Sequence, residues 1–135
     1  MKTMHASGVF DLKMAPLPPD DSVAGTSIGR FGIEKQFHDD LEATSKGLML
    51  GAGNLAKGTA GYVAIEQITG VLQGRSGSFA LQHNGSMAGG KFDLSVKVVP
   101  GSGTGDLEGI SGAMTILVEG SKHSYTFDYE LPSSE

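Results

Sequence analysis

Ser124-Tyr125-Thr126-Phe127-Asp128-Tyr129-Glu130-Leu131 alternates polar and apolar residues without a break. Tyr125, Phe127, Tyr129 and Leu131 share one face, while Ser124, Thr126, Asp128 and Glu130 share the other. That period of two is the signature of a strand with one buried side. The alternation recurs upstream in Met114, Ile116 and Val118. It recurs again in Phe92, Leu94, Val96 and Val98, set against Asp93, Ser95, Lys97 and Val99. Tyr62-Val63-Ala64-Ile65-Glu66-Gln67-Ile68-Thr69 is the richest segment in branched and aromatic residues, and Gly61 and Gly70 bound it.

Earlier segments follow the same rule with marked exceptions. Phe31, Ile33 and Phe37 share a face on which Lys35 is the odd residue. Phe79, Leu81 and His83 share another, and Asn84-Gly85 after them reads as a hairpin turn, with Gly89-Gly90 a second break or a bulge. Residues 4–14 form a first strand with Phe10, Leu12 and Met14 on one side. Pro16, Pro18 and Pro19 followed by Asp20-Asp21-Ser22 then predict a loop over residues 15–26. Ile33, Phe37 and Leu41 also fit helical spacing, which leaves a helix open over residues 33–46. A short repeat favours strand there: Asp40-Leu41-Glu42-Ala43-Thr44-Ser45 returns as Asp106-Leu107-Glu108-Gly109-Ile110-Ser111, whose glycine a helix tolerates poorly. Both copies read as one strand–turn–strand device used twice.

About eight strands joined mostly by short turns predict an all-β fold, an antiparallel barrel of about eight strands, with a two-sheet sandwich as the alternative. Residues 1–135 form one domain, with Pro132 to Glu135 a frayed tail. The 21 glycines, against roughly 9 or 10 expected from average usage, imply turns, bulges and close backbone approach. The formal charge is −5, and ten basic residues lie scattered along the chain, which argues against nucleic-acid binding. Zero cysteines exclude disulfides, thiolate metal sites and a Cys nucleophile. Met1 to Gly8 lacks an apolar signal core and no stretch approaches 18 apolar residues, so a soluble cytoplasmic protein that does not engage membranes is expected.

Gly74-Arg75-Ser76-Gly77-Ser78-Phe79, Val98-Val99-Pro100-Gly101-Ser102-Gly103-Thr104-Gly105-Asp106-Leu107-Glu108-Gly109 and Tyr125 to Leu131 carry a resemblance. They resemble the bacterial domain of unknown function family 3224, over most of the chain. That family is similar in architecture to the allene oxide cyclase barrel. The resemblance implies an allene oxide cyclase-like barrel in a homo-oligomer, and it implies no activity. Plant allene oxide cyclase holds an oxygenated fatty acid in its barrel, but this sequence has no cyclase motif onto which functional residues can be carried.

Candidate chemistry is sparse. Pro100 to Gly105 is Gly-rich, yet Asp106 and Glu108 follow it and no P-loop Lys-Ser/Thr is present, so it reads as a plain turn. Gly74-Arg75-Ser76-Gly77-Ser78 lacks the last glycine and the strand-to-helix context of a nucleophile elbow. His38-Asp39-Asp40 with Glu42 reads as a solvated acidic hinge, and His5, His83 and His123 stand apart in sequence, so no metal and no cofactor are expected. Glu66, on one face with Tyr62, Ala64 and Ile68, is the candidate catalytic carboxylate. Its structural alternatives are an ion pair with Arg75 or solvent exposure.

Tyr62, Glu66, Arg75, Phe79, Tyr125, Phe127 and Tyr129 are the candidate ligand-binding residues, with Met49, Met87 and Met114 as adaptable lining. Ordinary core packing is the competing account of the aromatic row. The expected function is non-catalytic binding of a small, largely apolar molecule in the barrel. A cyclase- or isomerase-like enzyme and a packed barrel acting through an oligomer or partner interface are the alternatives.

Overall fold

The computed structural model describes residues 2–54 and 57–132; of the expected frayed tail, residues 133–135 lie outside the described residues. Eight strands run in chain order: β1 (Met4–Leu17), β2 (Gly29–Phe37), β3 (Leu41–Asn54), β4 (Thr59–Leu72), β5 (Arg75–Ala88), β6 (Lys91–Val98), β7 (Ser111–Glu119) and β8 (Lys122–Glu130). Each pairs antiparallel with its chain neighbour, and β8 returns to β1, so the sheet closes into an up-and-down barrel. Short 3-10 turns at Asp21–Val23 and Gly105–Leu107 interrupt the loops. The barrel, not the sandwich, is the architecture, and residues 33–46 are the end of β2, the β2–β3 turn and the start of β3, not helix.

Strand β1 bends across the seam, its first half pairing with β8 over Met4–Phe10 and its second with β2 over Phe10–Leu17. That division explains why the expected loop at residue 15 begins later. Pro16 pairs with Phe31 on β2 and has no partner on the β8 side, so its missing N–H leaves no ladder bond unmade. Asn84-Gly85 is likewise no turn: β5 runs through it, with Gly85 opposite Tyr62 and Leu94. A Cβ on Gly85 would lie 2.4 Å from Tyr62 Cε1, so the glycine is there to let the tyrosine ring lie across the strand. The real hairpin is Gly89-Gly90, both at positive φ (57° and 78°), as a two-residue turn matched to strand twist requires.

Inward side chains divide the barrel into two halves. At the end that carries the β2–β3 and β4–β5 turns, the interior is filled. Phe79 stacks on Phe127 at 5.6 Å and Phe127 on Tyr129 at 5.2 Å, while Phe37 meets Tyr125 edge-on at 5.6 Å. Strands β6 and β7 share a single register pair, Lys97 with Ala113, and the segment between them compensates. It lies along β5, where Thr104 N–H donates to Ser78 O (2.8 Å) and Ala80 N–H to Ser102 Oγ (3.0 Å), and it drives Leu107 and Ile110 into the core. The two copies of the repeat therefore differ in structure, one opening β3 and the other forming a 3-10 turn. They share only the burial of Leu41 and Leu107.

The opposite half, bordered by the β5–β6 and β7–β8 turns, is open. Met14 and Phe92 remain exposed there although the sequence pattern places them on the inward face.

Candidate functional site

Five buried residues among those described are polar, and three of them set acid–base side chains into the apolar inward faces: Lys35 on β2, Glu66 on β4 and His83 on β5. All three are buried, Glu66 completely. The barrel brings them together at the boundary between its filled and open halves. Lys35 Nζ donates to Glu66 Oε2 at 2.8 Å, and His83 Nε2 lies 2.5 Å from the same oxygen. Glu66 Oε1 has no hydrogen-bond partner among the described residues, nor does the hydroxyl of the neighbouring inward residue Ser45.

The electrostatics follow from this arrangement. Burial alone pushes the Glu66 carboxyl upward, because charge is costly away from water. The His83 hydrogen bond and the Lys35 ammonium together outweigh burial and hold it down at about 2. Glu66 is thus an ionised acceptor at neutral pH, and His83 presents Nε2–H to it. In a neutral imidazole that leaves Nδ1 as an acceptor. Lys35 Nζ has further donors and sits 4.9 Å from the centre of the Phe10 ring. Tyr62, half-buried on the Glu66 side, has its phenol raised above the usual value by burial and by the Glu66 charge.

Above this floor lies a cup of about 210 Å³. Lys35 and His83 line its base, Phe10, Ile33 and Ala64 its wall, and Tyr62, Met49 and Phe92 lead outward. Those last three also line a second cavity of about 320 Å³ at the rim, where Gly29, Gly51 and Gly61 leave room beside Phe31 and Met87. Both spaces are mostly apolar, and they share Met49, Tyr62 and Phe92 as lining. The remaining polar lining of the cup is Tyr62 and His123.

The candidates read from sequence fall in different places. Tyr62 lines the cup, and Glu66 lies under its floor, where it touches Lys35 and His83 and not Arg75. Arg75 stands at the β4–β5 turn beside a surface cleft with Asp106, Glu108 and Pro132. Nine residues of separation suggested a hairpin partner for Glu66, but β4 and β5 are both 14 residues long, so Arg75 pairs with Leu72 at the filled end.

Phe79, Phe127 and Tyr129 are core stacking, and Tyr125 is a structural anchor, its hydroxyl donating to His38 O (2.7 Å) and accepting from Leu41 N–H (2.9 Å). Met49 and Met87 do line the open half, while Met114 is core. Lys35 and His83 were missed as site residues. The available signal was their position as polar exceptions on apolar faces, the same signal that Glu66 gives.

Around the acidic hinge, Asp39 N–H donates to Glu42 Oε1 (2.8 Å), Asp40 Oδ2 accepts from Ser7 N–H (2.9 Å), and His38 Nε2 pairs with Asp11 (3.0 Å). These side chains stitch the β2–β3 turn to β1. No helix among the described residues is long and apolar enough to cross a membrane.

The sequence profile of DUF3224, described as proteins of unknown function, matches residues 6–129. A crystal structure of a protein of unknown function from the DUF3224 family of Shewanella oneidensis MR-1 superposes with a TM-score of 0.89 at 42% sequence identity. The match covers 98% of this chain and 100% of that one. Among curated proteins, none matches.

Proposed function

This chain belongs to the DUF3224 family of proteins of unknown function, and we propose from its site that it binds a small, largely apolar molecule in the open half of its barrel. The observation that carries the proposal is the apolar cup closed below by Lys35, Glu66 and His83. Binding sites of this kind combine apolar walls with a few polar groups that fix orientation. A barrel of eight strands is just wide enough to be filled or to hold one small ligand, and here half of it is filled. At about 210 Å³ the cup is below the roughly 300–1,000 Å³ of drug-sized sites, so the ligand is compact or extends into the rim cavity.

The test uses a neutral fluorescent probe, N-phenyl-1-naphthylamine, and the variant Ala64→Phe. Ala64 is buried and lines the cup, so a phenyl group there fills it. Saturable probe binding that disappears in folded Ala64→Phe is expected. Equal binding by both proteins overturns the cavity assignment.

A second reading, action through an interface between copies of the chain, is favoured by the outer wall. Leu48 and Leu50 on β3 stand opposite Ile65 and Val63 on β4, and all four are exposed. Such a contiguous apolar patch is a common mark of a protein interface.

A further inference from the structure

We propose that the compact apolar molecule taken into the cup is a neutral carbonyl compound, a ketone or an ester, whose oxygen accepts a hydrogen bond from the Lys35 ammonium. The inference rests on the cavity reading above and adds the chemical class of the ligand.

The donors of Lys35 lead to it. An ammonium carries three N–H donors and no acceptor. Among the described residues, Lys35 Nζ makes one hydrogen bond, to Glu66 Oε2 at 2.8 Å. Its side chain is only 5% exposed, so bulk water does not serve the other two donors. Nζ lies instead over two rings, 4.9 Å from the centre of Phe10 and 5.7 Å from that of Phe37. A ring face attracts the charge, but it is a poor substitute for the lone pair that a buried N–H lacks at a cost. Lys35 and Phe10 both line the cup, and the ammonium over the Phe10 ring is the charged donor that an occupant meets there.

Charge decides that the acceptor is neutral. Lys35 and Glu66 form a buried pair with no net charge. A carboxylate would bring a second anion toward Glu66, whose Oε1 already lacks a partner, and no unmatched cation balances it. An amine cation would meet the Lys35 ammonium first, because Lys35 lines the cup and Glu66 lies beneath it. A neutral oxygen escapes both penalties. A carbonyl oxygen suits the site better than a hydroxyl, since it brings no donor of its own. The walls of Phe10, Ile33, Ala64 and Leu94 offer no side-chain acceptor for one.

The experiment is displacement of N-phenyl-1-naphthylamine from the whole chain by four compounds of similar size. They are 2-heptanone, its methylene isostere 2-methyl-1-heptene, heptanoate and 2-aminoheptane. The ketone and the alkene are expected to displace the probe, and the two ions are not at equal concentration. The ratio of alkene to ketone dissociation constants isolates the oxygen. It should be about tenfold to a hundredfold larger in wild type than in Lys35→Met/Glu66→Gln, the range for a hydrogen bond to a charged group. That double variant removes the donor without stranding a charge.

Should the variant not fold, the infrared band of bound 2-heptanone labelled with carbon-13 at its carbonyl reads the same contact in wild type. A band at lower frequency than in hexane is expected, and a band at the hexane frequency overturns the inference. Equal ratios in the two proteins, or displacement by heptanoate or 2-aminoheptane as strong as by the ketone, overturn the carbonyl inference and leave the cavity reading standing. A bound probe that none of the four displaces also overturns it. Absence of saturable probe binding overturns both.

Discussion

Replacing Glu66 with Gln removes the negative charge shared by Lys35 and His83 and leaves a nearly buried ammonium without its counter-ion. Two routes give the size of the effect. Breaking a buried ion pair by removing one partner costs about 3–5 kcal/mol, because the remaining charge stays desolvated. Independently, a fully buried carboxyl held at about 2 instead of 4.5 contributes about 3 kcal/mol to stability at neutral pH, at 1.36 kcal/mol per pH unit.

Because the folded value is the depressed one, that contribution is present above about pH 4.5 and is lost as pH falls toward 2. Urea unfolding at pH 7 should therefore show Glu66→Gln losing about 3 kcal/mol, a midpoint shift of about 1–2 M for an m-value near 2 kcal/mol/M. The double variant Lys35→Met/Glu66→Gln should recover much of the loss, because no charge is then stranded in the barrel. A Glu66→Gln midpoint within error of wild type at pH 7, with the pH dependence between 4.5 and 2 unchanged, would refute the account of the floor.

Other perturbations probe the parts around it. In Gly85→Ala the new methyl meets the Tyr62 ring at 2.4 Å and must displace it; a stability loss of about 1–3 kcal/mol and weakened probe binding are expected, read by urea unfolding and fluorescence. Tyr125→Phe strands Leu41 N–H and His38 O at the filled end, and should lower stability by about 1–3 kcal/mol without altering probe affinity. Ile65→Lys on the outer wall should lower the mass measured by light scattering if copies of the chain meet there; an unchanged oligomer would move the interface elsewhere.

Much of the barrel is legible in local pattern. The alternation of Tyr125 to Leu131 and of Phe92 to Val98 defines strands whose inward faces are those observed. Punctuation was less reliable. Asn84-Gly85 has the composition of a tight turn, but the demand there is for space under Tyr62, and a glycine satisfies either need equally well. Pro16 argues against a strand only when both edges of that strand are paired, and sequence does not reveal which edge is free.

The sequence by itself determined that the chain is all-β, that its strands alternate apolar and polar residues, and that Lys35 and His83 sit on faces otherwise apolar; which face of Tyr62 to Thr69 points inward, and so whether Glu66 does, it left open. Only the tertiary structure decided that these three meet. They are separated by 31 and 17 residues, and they share one oxygen because strand register and barrel closure set their heights across β2, β4 and β5. Closure also decided which aromatics fill and which line. Strands of one alternation pass through both halves of the barrel, and whether an inward ring packs or faces a cavity depends on the residues across the lumen, which no local pattern encodes.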